Sequence, residues 1–292
     1  MSDLSIGLII MTFLCVALFR MGLRAGRFHS RVLTSGLAVA TVSSVLIYGV
    51  WLWDNPVLAE LLPFSNLILL GNWFPLGAAL LGGLIFDLLP TRRRPFMLGG
   101  LGVAAGLCLI APLLGSAPDC GEMFDADGRC IQSTDATCSA ACAVSLLKSH
   151  GIAATEQEMA ELCLTRKGTR WQGLYRGLKA KTRDTQWDVQ VVRCSTEQLR
   201  HMPGQMILAV GADGASADAE ELQAEFGWNP SLRHSVIRLS VDHTGDPLIY
   251  DPSPGYGEER WRSATLQQLY RGHGLRLVPR TQGPGLLSLL TR

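Results

Sequence analysis

Charged residues are scarce in this sequence, and the shortage lies almost entirely at one end of the chain. They make up 17% of its 292 residues, against about 25% in ordinary soluble domains. Residues 1–115 hold four acids, seven arginines and no lysine, whereas residues 116–292 hold 21 acids and 19 lysines and arginines. The arginines adjoin apolar runs and do not build a basic face, so we predict no nucleic-acid partner.

Several motifs of metal and nucleotide chemistry are also absent from the sequence. There is no HExxH segment, and no pair of histidines at metal-ligand spacing accompanies the cysteines. Cys138 and Cys142 are spaced CxxxC, whereas zinc and thioredoxin-like sites use CxxC. The phosphate-binding loop GxxxxGK[ST] is missing as well. We therefore predict neither a metal nor an organic cofactor.

Long apolar runs fill the charge-poor end of the chain, at residues 4–19, 33–53, 65–89 and 96–115. Each has about the 17–25 residues that a helix needs to cross a lipid bilayer. The first run lacks the basic n-region of a signal peptide and its arginines follow it, so we interpret it as a retained helix. Glycine-rich stretches at 77–83 and 99–106 suit close helix packing in lipid. Residues 1–115 are thus predicted to form a four-helix transmembrane bundle in the lipid bilayer, and a membrane-protein partner for it is left open.

The arginines predict the orientation of this bundle. Those between the first and second runs are Arg20, Arg24, Arg27 and Arg31, and those between the third and fourth are Arg92, Arg93 and Arg94. The N-terminus, residues 54–64 and the chain after the fourth run contain acids but no lysine or arginine before Arg129. The positive-inside bias then puts both arginine loops in the cytoplasm and both termini outside. The rest of the chain is expected to face the periplasm or the cell exterior.

The remaining chain is predicted to be a linker, 116–130, followed by one domain at 131–292. Helical patterns come first, starting at Cys138, at the Thr155–Glu158 capping box and at 170–181. Short β-rich runs follow at 187–194, 205–210, 234–241 and 247–251. One more helix is predicted near the end, at 263–271. This order predicts an α+β fold in which helices pack on an antiparallel sheet.

A long segment at residues 212–230 separates two of the predicted strands. Segments of this length between strands are often functional or disordered. With Phe226 and Trp228 it is a candidate lid or substrate rim, and a solvated insertion is the other interpretation.

Two of the eight cysteines, Cys15 and Cys108, lie in apolar runs and are interpreted as small packing residues. The other six follow the linker start, at positions 120, 130, 138, 142, 163 and 194. An oxidising compartment would allow disulfides among them. Cys120 and Cys130 are the candidate bridge, and Cys163 and Cys194 are either a second pair or buried thiols.

One cysteine has the surroundings of a nucleophile. Cys138 begins a helix, where the helix dipole lowers a thiol pKa, and Cys142 lies one turn deeper, on the side that faces the core. His234 opens the apolar strand HSVIRLSV, and Asp251 ends the next strand, where a hairpin would place it beside His234. Gln132, just ahead of Cys138, could donate a hydrogen bond to an oxyanion.

These residues fall into motifs that resemble a known family. Q-x5-C-x-x-A-C at 132–142, H-S-V-I at 234–237 and Y-D-P-S-P-G at 250–255 are similar to those of papain-like peptidases that process bacteriocin precursors at double-glycine leaders. Membrane-attached peptidase-like domains are wider relatives of that family. The resemblance covers about 128–280 and implies a papain-like peptidase domain acting on a peptide or protein.

On this resemblance, Cys138 would be the nucleophile, His234 the general base, Asp251 the residue that orients the imidazole, and Gln132 the oxyanion donor. The family usually has glycine directly after the nucleophile, whereas this chain has Ser139. Two alternatives to a membrane-anchored cysteine peptidase therefore stay open. One is an inactive peptidase-like domain that binds peptides at the membrane surface, and the other is an acyl-transferring enzyme.

Overall fold

The computed structural model of the protein describes residues 2–211 and 233–280. The chain divides into two compact units, Met1–Gly115 and Ser116–Arg292. The predicted lid at 212–230, with Phe226 and Trp228, lies outside the described residues.

The described part of the first unit is helical. Its helices are α1 (Asp3–Phe28), α2 (Arg31–Trp51), α3 (Val57–Leu61), α4 (Leu67–Leu70), α5 (Phe74–Ile85) and α6 (Arg94–Ile110), and a 3₁₀ turn at Ala111–Leu113 follows α6. Four segments are long and apolar enough to cross a membrane, namely Asp3–Phe28, Arg31–Trp51, Leu67–Ile85 and Arg94–Leu113. The prediction of four apolar helices at this end of the chain is confirmed.

Two of these segments differ from the apolar runs that predicted them. Helix α1 continues past residue 19 to Phe28, since the arginines in this stretch are good helix formers. It ends just before Ser30, whose hydroxyl caps α2 by accepting a hydrogen bond from the Leu33 N–H at 3.4 Å. The third run is interrupted between α4 and α5, where Pro75 lies in the first turn of α5 and supplies no N–H to continue a helix from the preceding turn.

Close contact between α1 and α5 depends on glycine. A Cβ at Gly22 would lie 2.5 Å from the Leu80 carbonyl oxygen, and one at Gly83 would lie 2.2 Å from the Phe19 carbonyl oxygen. The stretch 77–83 thus packs closely, as predicted. Apart from its chain neighbours and its own helix backbone, a Cβ built at Gly99, Gly100, Gly102 or Gly106 would meet no atom of the described residues within 4 Å, so the stretch 99–106 makes no such close contact there.

The helices of the second unit begin and end where local signals place them. They are α7 (Cys138–Ser149), α8 (Glu156–Leu162), α9 (Trp171–Thr182), α10 (Thr196–His201) and α11 (Ser263–Leu269). The chain leaves α7 through Gly151, whose φ of +74° favours glycine. At the start of α8, the Thr155 hydroxyl accepts a hydrogen bond from the Glu158 N–H at 3.1 Å.

Two sheets are described in the second unit. A small hairpin pairs β1 (Met123–Phe124) with β2 (Cys130–Ile131). The larger sheet contains β3 (Trp187–Arg193), β4 (Met206–Val210), β5 (His234–Val241), β6 (Pro247–Asp251), β7 (Gly257–Arg260) and β8 (Tyr270–Pro279). Its strands run antiparallel to their neighbours in the order β3-β8-β4-β5-β6-β7. The predicted α+β class is confirmed, because helices come first and an antiparallel sheet follows.

Three features of this topology were not predicted. The last helix ends at Leu269, two residues before the predicted end, and the chain continues at once as β8, between β3 and β4. The two glycines inside β8 hide its strand pattern. One of them is required by packing, since a Cβ at Gly274 would lie 2.5 Å from the Ile207 carbonyl oxygen. Strand β7 and the β1–β2 hairpin, in a linker that we expected to be irregular, also escaped prediction.

The position of the candidate site follows from how β5 is buried. Its first five residues are all buried, because helix α7 packs on β5 and Val236 belongs to an apolar cluster that includes Leu199, Trp261 and Leu266. A strand covered on both faces loses the alternating pattern of a half-exposed strand. Helix α7 and β5 are therefore held together by a packed core, and each carries one of the predicted site residues at its first position.

All eight cysteines are free thiols in the structure, so the predicted Cys120–Cys130 bridge is wrong. The two backbones are held by different helices, since the Cys120 N–H donates to the Gln157 side chain at 2.9 Å and the Cys130 N–H donates to the Ser145 hydroxyl at 2.8 Å. Cys163 is also an unpaired buried thiol.

Candidate active site

Cys138 is the first residue of α7 and is 6% exposed. The turn before it uses its own polar groups, because the Thr137 hydroxyl donates to the Thr134 carbonyl at 2.9 Å and accepts from the Thr134 N–H at 3.1 Å. Among the described residues, no side chain caps the N-terminus of α7. The unpaired N–H groups of this first turn and the helix dipole favour a negative charge at Cys138.

The β5–β6 pairing brings His234 and Asp251 together. In this hairpin Ile237 pairs with Tyr250, so the start of β5 and the end of β6 meet at the same edge. The Nε2 atom of His234 lies 3.0 Å from Oδ1 of Asp251, and both residues are buried. Asp251 Oδ1 also accepts a hydrogen bond from the Ser253 N–H at 2.8 Å, which fixes the carboxylate toward the imidazole.

The surroundings of Cys138 and His234 favour a thiolate beside an imidazolium. Burial opposes ionisation of the Cys138 thiol, but the positive charge of His234 and several hydrogen bonds, one of them to the His234 side chain, together outweigh it and lower the pKa of Cys138. Burial likewise opposes protonation of His234, yet the Cys138 thiolate and the Asp251 carboxylate raise its pKa to about 10. Burial opposes ionisation of Asp251, but the hydrogen bond to His234, the positive charge of His234 and hydrogen bonds from Ser253 together lower the pKa of this carboxyl. These shifts favour the thiolate together with the imidazolium at pH values between the lowered pKa of Cys138 and the raised pKa of His234.

The Asp251 carboxylate engages one of the two ring nitrogens of His234. Asp251 holds Nε2 as a proton donor, which leaves Nδ1 as the nitrogen that exchanges a proton with the sulfur. A thiolate beside an oriented imidazolium can attack an electrophilic carbon, and the imidazolium can then donate a proton to the leaving group.

The loop that carries Gln132 is attached to the end of β6. Its backbone N–H donates to the Pro252 carbonyl at 2.8 Å, directly after Asp251 in the chain. The side chain is 6% exposed, and its Oε1 has no hydrogen-bond partner among the described residues. A buried amide oxygen without a partner is unusual in a folded protein. No hydrogen bond to Oε1 among the described residues therefore fixes the amide group of Gln132.

Glu156 is a buried acid that the sequence did not single out. It is fully buried at the first position of α8. Its carboxylate accepts a hydrogen bond from the Ser133 N–H at 2.8 Å and another, shorter one from the Ser133 hydroxyl. Each of these two donors gives the buried carboxylate a hydrogen-bond partner. Glu156 thereby holds the residue that follows Gln132, and in the sequence its only signal is its place in the first turn of a helix.

The other buried cysteines lack the surroundings of Cys138. The Cys142 thiol donates to the Ser235 carbonyl at 3.3 Å, and burial raises its pKa well above the usual range. Burial, followed by the charge of Glu156, raises the pKa of Cys130 to about 12. Burial also raises the pKa of Cys163 to about 12. Thus Cys138 is the buried cysteine in this unit whose pKa is lowered.

Of the four sequence-predicted site residues, the structure brings three into direct contact. Cys138 is hydrogen-bonded to the His234 side chain, and His234 is hydrogen-bonded to Asp251. Gln132 has its backbone beside Pro252, next to Asp251. Among the described residues there is no group of three or more His, Cys, Asp or Glu side chains that could hold a metal ion.

Comparison with known proteins gives structural similarity alone. No family model matches this chain, and no curated protein matches it. The peptidase domain of Streptococcus ComA, a bi-functional ABC transporter involved in a quorum sensing pathway, is similar at 19% identity and a TM-score of 0.40, over 51% of this chain and 96% of that one.

Two further solved structures are similar at lower scores. One is a double glycine motif protease from an AMS/PCAT transporter in complex with its leader peptide, with 12% identity and a TM-score of 0.36 over 56% of this chain and 94% of that one. The other is a periplasmic domain of the EpsAB fusion protein of the Vibrio vulnificus type II secretion system, with 18% identity and a TM-score of 0.30 over 49% and 47%. Each similarity covers about half of this chain.

Proposed function

We propose that this protein is a membrane-anchored cysteine peptidase that cleaves a peptide or protein substrate through Cys138, His234 and Asp251. The observation that carries the proposal is the buried chain of contacts from Cys138 to His234 and on to Asp251, whose Oδ1 lies 3.0 Å from Nε2 of His234, together with the lowered pKa of Cys138. Lowering a thiol pKa inside a protein core requires a specific charge partner. Perturbed groups of this kind concentrate at functional sites.

Acylation begins with attack of the Cys138 thiolate on the carbon of a peptide carbonyl. The carbonyl π electrons move to oxygen, and the Gln132 amide and the Cys138 backbone N–H donate hydrogen bonds to that oxyanion. The tetrahedral intermediate collapses as its C–N bond breaks, and the His234 imidazolium gives its proton to the departing amine. A thioester on Cys138 and a neutral imidazole remain.

Deacylation returns the enzyme to its starting state. The neutral His234 takes a proton from water, and the resulting oxygen nucleophile attacks the thioester carbon. Collapse expels the Cys138 thiolate and releases the acid half of the substrate, while His234 is again an imidazolium. An amine in place of water would give acyl transfer by the same steps.

The first unit suggests where this chemistry takes place. Its four apolar segments are long enough to cross a membrane, and the arginines between them favour a cytoplasmic location for both arginine loops. The second unit would then face the periplasm or the cell exterior. The first unit would contact the lipid bilayer and any membrane protein that binds to it. We expect a reporter fused after Arg292 to be active only on the outer side, and activity on the cytoplasmic side would reverse this orientation.

A peptide library tests the proposed activity. The purified full-length protein in detergent is incubated with peptides derived from a bacterial proteome, and new N-termini are identified by mass spectrometry. We expect the wild type and Cys142→Ala to produce new termini with a common residue preference, and we expect Cys138→Ala to produce none. Binding of library peptides without any new terminus would instead identify an inactive peptide-binding domain. Amide products formed only when glycinamide is added would identify an acyl transferase.

A further inference from the structure

Two serines next to the proposed nucleophile and base touch each other across the packed core. Ser139 follows Cys138 on α7, and Ser235 follows His234 on β5. Their hydroxyl oxygens are 2.8 Å apart, and both residues are buried. Neither serine has a role in the chemistry described so far.

Both serines also act on the thiol of Cys138. Hydrogen-bond donation by the Ser139 hydroxyl and by the Ser235 backbone N–H lowers the pKa of Cys138. On its other side, the Ser235 carbonyl accepts the thiol of Cys142 at 3.3 Å. The N–H, the carbonyl and the hydroxyl of Ser235 are thus each directed at a different residue of α7, namely Cys138, Cys142 and Ser139.

We propose that Ser139 and Ser235 form a hydrogen-bond relay that stabilises the Cys138 thiolate and fixes the separation of Cys138 from His234. This inference rests on the proposed function, because it assigns the two serines to the same site. Ser139 acts on the reacting sulfur directly, whereas the hydroxyl of Ser235 acts as a positioning group through Ser139.

The direction of the relay follows from counting protons. A hydroxyl carries one hydrogen and can accept two. If Ser139 gives its hydrogen to the sulfur, its bond to Ser235 must be made with the Ser235 hydroxyl as donor. In that order, both hydrogens point toward the negative charge and each bond polarises the next. The reverse order would leave the thiolate without the Ser139 donor.

Burial makes this arrangement costly to disturb. A buried hydroxyl without a partner loses its hydration without compensation. Removal of the Ser139 hydroxyl therefore both deprives the sulfur of a donor and leaves Ser235 unpaired. Removal of the Ser235 hydroxyl leaves Ser139 able to donate to the sulfur, but no longer oriented by an incoming hydrogen bond.

Alkylation of Cys138 as a function of pH tests the relay. The full-length protein in detergent is treated with iodoacetamide at roughly pH 5 to 10, and modification of each cysteine is measured by mass spectrometry. Because the relay stabilises the thiolate, Ser139→Ala is expected to raise the midpoint of the Cys138 profile. Its rate should be about 5- to 20-fold lower on the acid side and should approach the wild-type rate above the midpoint.

Position 235 supplies a pair of variants with the same shape. Ser235→Thr keeps the hydroxyl and is expected to have the wild-type midpoint. Ser235→Val replaces it with a methyl group and is expected to behave like a weaker Ser139→Ala. Combining Ser139→Ala with Ser235→Val should add little, since both act on one relay.

Ser145→Ala is the matched control. Ser145 is a buried serine of α7 whose hydroxyl donates to the Ala141 carbonyl and accepts from the Cys130 N–H. It should lose stability without a change in the Cys138 midpoint. Rapid modification of the buried Cys163 would mark a misfolded variant, and in that case the Thr and Val variants at position 235 decide the question.

Two results separate failure of the relay from failure of the proposed function. Unchanged midpoints in Ser139→Ala and Ser235→Val, with a loss of acid-side reactivity in His234→Ala, would overturn the relay and leave the peptidase proposal standing. An unreactive wild-type Cys138 that is indifferent to His234→Ala would overturn both.

Discussion

Replacing His234 with alanine is expected to lower peptide cleavage by about 10²- to 10⁴-fold, the usual range for loss of a general acid–base. Without the imidazolium, burial becomes the dominant influence on Cys138 and raises its pKa, so little thiolate remains near neutral pH. The rate of alkylation by iodoacetamide at about pH 6.5 should fall by at least about tenfold. This fall should be smaller than the fall in cleavage, because a thiolate of higher pKa is intrinsically more nucleophilic.

The pH dependence gives this prediction a definite sign. In the wild type, cleavage should rise as the pH passes the lowered pKa of Cys138, because the thiolate then forms. It should fall again near pH 10, where His234 loses the proton that the leaving amine needs. In His234→Ala, alkylation should keep rising through the alkaline range, as for an ordinary buried thiol.

Two variants control for this result. His243→Ala removes an exposed imidazole from the β5–β6 turn and should leave both assays unchanged. Cys142→Ala removes a buried thiol of high pKa and should leave labelling of Cys138 intact. A His234→Ala profile that is parallel to the wild-type profile would mean that His234 does not activate Cys138.

Replacing Gln132 with alanine is expected to lower hydrolysis of p-nitrophenyl acetate and of peptides by about 10²- to 10³-fold. The proposed role of its amide begins only when negative charge develops on the carbonyl oxygen, so its loss should appear in turnover. Alkylation by iodoacetamide forms no oxyanion, and its rate should stay within about twofold of the wild type. Gln132→Glu should be at least as inactive as Gln132→Ala, since a carboxylate repels the developing charge.

The comparison of the two assays decides the role of Gln132. A parallel loss of hydrolysis and alkylation would mean that Gln132 supports the fold of the site and does not stabilise the oxyanion. Gln190→Ala is a matched control, because that exposed glutamine lies on β3 and bonds to Arg276, and it should affect neither assay.

Some of the site could be read from the sequence because its signals are local. Cys138 follows a turn and begins a helical pattern that ends at Gly151, and the structure has α7 at Cys138–Ser149. His234 and Asp251 were expected together because they open and close two strands joined by a short turn, and their side chains are 3.0 Å apart. In each case a few neighbouring residues determine the geometry.

Other parts of the site depend on residues that are far apart in the chain. The Ser139–Ser235 bond joins residues 96 positions apart, and the Ser133–Glu156 bonds join residues 23 positions apart. Neither pair has a spacing signal, because serine and glutamate are common in turns and helix starts for local reasons. Only the packing of α7 on β5, and of α8 beside the 132–133 loop, brings them into contact.

The sequence by itself determined that this protein has an apolar helical part followed by an α+β domain, since both follow from hydropathy and period. It also determined which cysteine begins a helix and which histidine begins a strand. The tertiary structure alone decided that β8 lies inside the sheet and that Cys120 and Cys130 remain apart. It also set the acidity of Cys138, because a pKa depends on the charges and hydrogen bonds that surround a buried group, whichever part of the chain supplies them.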